Sequence, residues 1–402
     1  MERAPLPLSK SQRQSLTSNP NLPTERKMTS SLLRTLVGEH VLSVVAEPIA
    51  IDGERHPTWC AIYYAEEEHS QLPDRARISL SIEKALRSIF SHDRTWLSAV
   101  LFERLSGENF AEAASALGEI RAYGALLDAF GNKVSGVPTE KAATPDFVVR
   151  NREDVVYVEV ATKRMNDGMV RQAAIEREVA AEKAETVAAR AREEGRSSSF
   201  SVHGYQVESF GLSDSRKTDD HPVSNAISKL CAVKQAAHQF TRGTPTVLWI
   251  DLQDPAFWPH DATPAAPIHS GSPGCFISGS FWYAFYGEKG LPLFYLDSFV
   301  RPSTLGAMAH NGKFLGEKGS SLSAVVLSLP HATIVFENPA ATSPLPRWFR
   351  WFMPDLPVFD VEHSVVNWNQ DEALGKQVAA QKARIFALHD EIAKARSTEC
   401  PW

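Results

Sequence analysis

Residues 145–163, PDFVVRNREDVVYVEVATK, read as a β-hairpin that sets two carboxylates side by side. Residues 147–150 and 155–160 are rich in β-branched and aromatic side chains, and the polar run Asn151-Arg152-Glu153-Asp154 separates them. With that run as the turn, Arg150 faces Val155, Val148 faces Tyr157 and Asp146 faces Glu159. Directly opposed residues of an antiparallel pair share a face, with Cβ atoms roughly 4.5–5.5 Å apart. Two carboxylates at that spacing repel, so a purely structural sheet gains nothing from the pairing. A divalent cation between them turns the repulsion into a binding site. The competing reading is an ordinary edge hairpin, with Asp146 at a strand start and Glu159 facing solvent. Val155, Val156 and Val158 weigh against it, because a strand apolar on both faces is a buried one, and a buried acid needs a partner.

Alternation along the second strand points Glu159, Ala161 and Lys163 the same way. A lysine beside a phosphate stabilises charge or orients an attacking water. Upstream, NFAEAASALGEIRAYGALLDAFGN predicts a helix over 109–130. Asn109 is its N-cap, Glu112 completes a capping box and Gly131 stops it. Phe110, Ala113, Leu117, Ile120 and Leu127 form its core stripe. Glu119 borders that stripe, where it can look towards the sheet rather than into water.

This order of elements resembles the PD-(D/E)XK nuclease superfamily. Its members carry a Glu on the first core helix, Pro-Asp on one strand, (D/E)-x-K on the next, and then a helix. The corresponding residues here are Glu119, Pro145-Asp146 and Glu159, within YVEVATK, and the run GEIRAYGALLDAFGNKV is similar to the superfamily's first helix entering its first strand. The resemblance covers roughly residues 109–165, with weaker support to about 255. Ala161 stands where the superfamily lysine belongs. Lys163 lies two residues on, about 6.6 Å further at ~3.3 Å per residue, within reach of a long flexible stem.

Composition bounds the alternatives. The 402-residue chain suffices for one large domain with additions, or for two. A hydrophobic fraction of 43% with nine Trp fits a packed globular protein. Cys60, Cys231, Cys275 and Cys400 are widely spaced and form no C-x-x-C, so a reducing, cytoplasmic setting is expected. No apolar run reaches the ~18 residues of a membrane span, and the polar, Pro-containing start does not read as a signal peptide. Net charge is −6, so contact with DNA must come from local basic patches.

Four segments are expected: a flexible basic arm (1–36), a small β-hairpin and helical module (37–93), the nuclease-like core with insertions (94–345), and an aromatic arm with a C-terminal helix (346–402). In the second, HVLSVVAEPIAIDG and TWCAIYYAEE read as a hairpin followed by a helix near 80–91, with another near 94–105. Residues 169–194 read as a long solvated helix, with Arg171 and Gln172 near its start. FSVHGYQVESF (200–210) reads as a strand, SNAISKLCAVKQAAHQF (224–240) as a helix, and PTVLWIDL as a buried strand. The core's second helix is either 169–194 or 224–240; the latter makes Lys229, Lys234 and Gln235 candidate phosphate contacts. FISGSFWYAFY, LPLFYLDSF, LSAVVLSL and HATIVFENP read as further strands. PRWFRWFMP (346–354) fits a packed arm or a subunit interface better than a base-stacking surface, and 370–396 reads as an amphipathic helix. Gly306 to Lys313 mimics a phosphate loop, but with five residues between its glycines and Phe314 in place of Ser or Thr. No nucleophile elbow or HNH-type metal spacing is present.

The fold expected is α/β: a mixed sheet with an αβββαβ core of the restriction-endonuclease kind. The resemblance implies magnesium- or manganese-dependent hydrolysis of DNA, double-stranded by preference, in a role such as bacterial defence. Asp146, Glu159 and the Val160 carbonyl would hold the ion, Glu119 a second ion or its hydration shell, and Lys163 would act on the water; Gln172, Lys229, Lys234 and Gln235 would touch substrate. Two rivals stand beside it: a catalytically degenerate subunit that binds DNA or protein, and a structural component of a larger assembly, a homo-oligomer or partner complex through 346–354.

Overall fold

A computed structural model describes residues 31–38, 42, 55–66, 73–107, 109–137, 144–164, 167–196, 210, 222–234, 243–254, 268–271, 274–277, 279–295, 303–316, 321–330 and 333–350, with helical positions between 376 and 394. In chain order the helices and strands are α1 (Leu32–Val37), α2 (Pro57–Tyr63), α3 (Pro73–His92), α4 (Arg94–Leu105), α5 (Phe110–Phe130), β1 (Val134–Gly136), β2 (Phe147–Asn151), β3 (Asp154–Thr162), α6 (Asp167–Glu193), α7 (Pro222–Ala232), β4 (Thr246–Asp251), β5 (Ile268–Gly271), β6 (Gly274–Ile277), α8 (Ser280–Tyr286), β7 (Pro292–Tyr295), β8 (Ser303–Ala307), β9 (Ala324–Ser328), β10 (Thr333–Glu337) and α9 (Arg347–Arg350).

The architecture is α/β. A mixed six-stranded sheet runs β1-β2-β3-β4-β9-β10. The β1, β2 and β3 strands form an antiparallel meander; β4 and β9 continue the sheet parallel to β3, and β10 turns back antiparallel. The hairpin register is Arg150↔Val155 and Val148↔Tyr157, continuing to Phe147↔Val158. Asn151 pairs with Asp154, which leaves Arg152 and Glu153 as the turn, with Arg152 at φ 59°.

Side-chain alternation splits the core into two layers. Val156, Val158, Val160, Val247, Trp249, Ala324 and Val326 face a cluster containing Leu117, Ile120 and Tyr123 of α5 together with residues of α3 and α4. Leu248, Ile250, Val325, Leu327 and Phe336 face the other, with Ala226, Ile227 and Leu230 of α7 and the aromatic run of α8. Helices therefore cover both faces. The α5 helix begins where Asn109 Oδ1 accepts from the N–H groups of Ala111 and Glu112, and it ends at Gly131 (φ 59°). Packing is continuous across position 93, since α3 and α4 both lie on α5.

Three sequence readings change. TWCAIYY is not a hairpin strand but α2. Pro57 sits in its first turn, and His56 Nδ1 accepts from the Thr58 N–H. FISGSFWYAFY divides at Gly279 into β6 and α8, and every residue of α8 is buried. A short, wholly apolar run lacks the period that separates helix from strand. The helix expected at 224–240 is α7, already past its end at Lys234, where φ is 50°. The described part of PRWFRWFMP agrees with the packed-arm reading: α9 joins this chain's own core, where Phe349 is buried and stacks on Phe130, and Trp348 Nε1 donates to Asp154 Oδ2. The basic arm up to residue 30, the strand at 200–209, most of HVLSVVAEPIAIDG, positions 351–354 and most of 370–396 lie outside the described residues. No helix among the described residues is long and apolar enough to cross a membrane.

Candidate functional site

The hairpin brings Asp146 and Glu159 together. Asp146 immediately precedes β2, one step beyond the Phe147↔Val158 pair, which sets it opposite Glu159. Its Oδ2 accepts from the Val160 N–H at 2.7 Å, and its carbonyl accepts from the Val137 N–H at 2.9 Å, so both ends of the residue are held. Glu159 is 1% exposed in the middle of the sheet. Its Oε1 pairs with Lys234 Nζ at 2.5 Å, while its Oε2 is buried with no hydrogen-bond partner.

Burial raises both acids, and neighbouring carboxylates add to it. Asp146 is pushed up to about 7, first by burial and then by the charges of Glu159 and Glu119, with the Val160 N–H opposing. Glu159 is raised as well, since burial outweighs the Lys234 ammonium. At neutral pH the pair therefore holds less negative charge than two ordinary carboxylates, and a cation entering there displaces protons.

Glu119 lies near enough for its charge to act on both acids, but it comes from the other layer. The α5 helix covers the Val158–Val160 face, where Gly118 meets the Thr162 hydroxyl, rather than the Glu159 face. Its carboxylate is held by a bidentate pair with Arg104, both bonds at 2.7 Å, and by the Ser115 hydroxyl at 3.3 Å. Lys163 is not the cation on Glu159. Its N–H donates to the Asp251 carbonyl, and its ammonium is lowered by burial and by the nearby charge of Lys229. Lys229 is exposed on α7. The ammonium in contact with Glu159 is that of Lys234, which arrives from the end of α7. Gln172 lies within α6, its side chain outside the described residues, as is all of Gln235. The Val160 N–H is committed to Asp146.

Three contacts near the site carry little sequence signal. Arg104 precedes Glu119 by 15 residues and meets it only because α4 and α5 pack together. Arg121 forms a buried pair with Asp251 at the end of β4, beside Gly118. Lys313, at the end of the failed phosphate-loop match, is buried and donates to carbonyls at the end of α7.

Among the described residues no group of three or more His, Cys, Asp or Glu side chains could hold a metal ion. Two carboxylates are nonetheless a sufficient protein donor set for magnesium, which keeps several of its waters. The partnerless Glu159 Oε2 beside the protonation-prone Asp146 suits such an ion. Comparison of the chain with protein-family models, with curated proteins and with solved structures finds no match in any of the three.

Proposed function

We propose that the chain is a metal-dependent nuclease acting on DNA, built on a PD-(D/E)XK-like core. The observation that carries the reading is the meeting of Asp146, Glu159 and Lys234: a half-buried and a buried carboxylate across a hairpin, with an ammonium in contact with the buried one. The supporting pattern is the order α5-β1-β2-β3-α6-α7-β4, with β1 to β3 antiparallel and β4 parallel to β3, which is compatible with an αβββαβ core of that superfamily carrying one extra helix. Under this reading α7 is the second core helix and α6 belongs to an insertion.

Asp146 and Glu159 would hold a magnesium or manganese ion, whose Lewis acidity suits phosphodiester hydrolysis. The remaining steps belong to the protein. Lys234 would exchange its contact with Glu159 for one with the scissile phosphate, where an ammonium stabilises charge that develops in the transition state. Arg104 would hold the Glu119 carboxylate in place through its bidentate pair. Lys163 and Lys229, on the Glu159 side of the sheet, would meet flanking phosphates.

A second reading has its own support. Glu159 and Glu119 both already have cationic partners, as the acids of a catalytically silent, DNA- or protein-binding relative would. Cleavage of plasmid and oligonucleotide DNA with magnesium or manganese separates the two, comparing wild type with Asp146→Ala. The nuclease reading expects cleavage by wild type and none by the variant. Salt-dependent DNA binding without cleavage by either would favour the silent relative.

A further inference from the structure

We propose that Lys313 is a positioning residue of this site, because it fixes the turn that aims Lys234 at Glu159. The inference rests on the reading that Glu159 and Lys234 are working parts of the site. The α7 helix ends at Ala232, and Lys234 adopts φ 50°, a left-handed conformation that a lysine takes only where its surroundings impose it. The last carbonyls of a helix have no intrahelical donor, and basic side chains commonly supply one. Here the donor comes from 80 residues away: Lys313 Nζ donates to the Cys231 carbonyl at 3.2 Å and to the Val233 carbonyl.

Those two carbonyls bracket the departure of the chain from helix, and the next residue is Lys234. Lys313 is only 8% exposed, so its ammonium has little water to return to and stays on the turn. The segment carrying it is itself anchored. Phe314 packs on Phe285 and Tyr286 of α8, and the Gly312 N–H donates to the Gly287 carbonyl. The same α8 holds the end of α7, since Cys231 Sγ donates to the Ala284 carbonyl at 3.0 Å. Lys313, α8 and the end of α7 thus form one clamp. Its output is the 2.5 Å contact between Lys234 and Glu159. Burying an ammonium is costly, and helix packing alone does not require one here. A lysine at 313 is accounted for by what it holds in place.

The test is the rate at which acetic anhydride acetylates Lys234 in the full chain, read by mass spectrometry, with Lys163 and Lys229 as internal references. In Lys313→Met, which keeps the apolar stem and removes the donor, Lys234 should react about fivefold faster as its pairing with Glu159 loosens. The two references should react at unchanged rates, which a general loosening of the fold would not allow. Lys313→Gln keeps an N–H donor one bond closer to the backbone, should accelerate Lys234 less, and serves if the Met variant does not fold. Wild-type reactivity of Lys234 in whichever variant folds overturns the assignment. Acetylation is measured without metal or DNA, so an inactive wild type would sink the nuclease reading without touching this result. If the wild type does cleave, Lys313→Met should slow it and add no further loss in a Lys234→Met background.

Discussion

At the scale of single residues, the site turns on which lysine serves Glu159. Alternation along β3 selects Lys163, yet its charge faces Lys229, and Lys234 makes the contact. Under the proposed nuclease reading, Lys234→Met should lower single-turnover cleavage by about 10²–10³-fold, the usual cost of removing one group that stabilises transition-state charge. It should leave the fold intact, because the side chain is 35% exposed. Lys163→Met should chiefly weaken DNA binding and flatten its salt dependence, since a flanking phosphate contact acts on binding. The reverse ranking, with Lys163→Met inactive and Lys234→Met unimpaired, would assign the catalytic charge to Lys163, just past the end of β3. Glu119 calls for a different expectation, because Arg104 occupies both its oxygens. Arg104→Met should release that carboxylate into an already crowded acidic site and raise Asp146 further; carboxyl NMR titration of metal-free protein would detect it.

At the scale of elements, α5 works only because it lies tight against β3 and β4. A Cβ at position 118 would collide with the Thr162 hydroxyl and come within 3.0 Å of Asp251 Oδ2. Gly118→Ala should cost about 1–3 kcal/mol in denaturant unfolding, as overpacking generally does. Next to it, Arg121→Met would strand the Asp251 carboxylate at 0% exposure and should cost about 3–5 kcal/mol. Arg121→Met combined with Asp251→Leu should recover most of that loss; failure to recover would mean the pair does more than neutralise itself. The same elements show where sequence was legible. Asn109, Gly131 and the Asn151–Asp154 turn carry their own local chemistry, so the α5 boundaries and the Arg150↔Val155 register followed from composition and counting. The α2 and α8 helices did not, because seven-residue, mostly apolar stretches with most (α2) or all (α8) side chains buried show neither a 2 nor a 3.6 period. Of the candidate site, Asp146 and Glu159 were visible because one hairpin joins them. The partners Lys234, Arg104 and Lys313 depend on helix ends meeting across 75, 15 and 80 or more residues, which no local pattern encodes.

At the scale of the whole molecule, the proposed site should leave a mark on global stability that can be read without any substrate. Asp146 stands at about 7 in the folded chain against an ordinary 3.8, so between those values the folded state binds more protons than the unfolded one. Its stabilising contribution is complete below about pH 4 and is lost as pH rises through about 7; the raised Glu159 acts in the same direction. Metal-free wild type should therefore lose stability between pH 5 and pH 8 relative to Asp146→Asn, which cannot ionise there. Manganese should reverse the loss, because it binds the deprotonated acids: at about 100 times its Kd it adds about 2.7 kcal/mol. That gain should appear at pH 8, shrink at pH 5 where protons compete, and vanish in Asp146→Asn. Thermal unfolding of both proteins at the two pH values, with and without manganese, reads all of these differences. Parallel pH slopes for the two proteins would mean that Asp146 is not the perturbed acid. A manganese shift that persists in Asp146→Asn would place the ion elsewhere, leaving the hairpin acids as a structural pair held by Lys234.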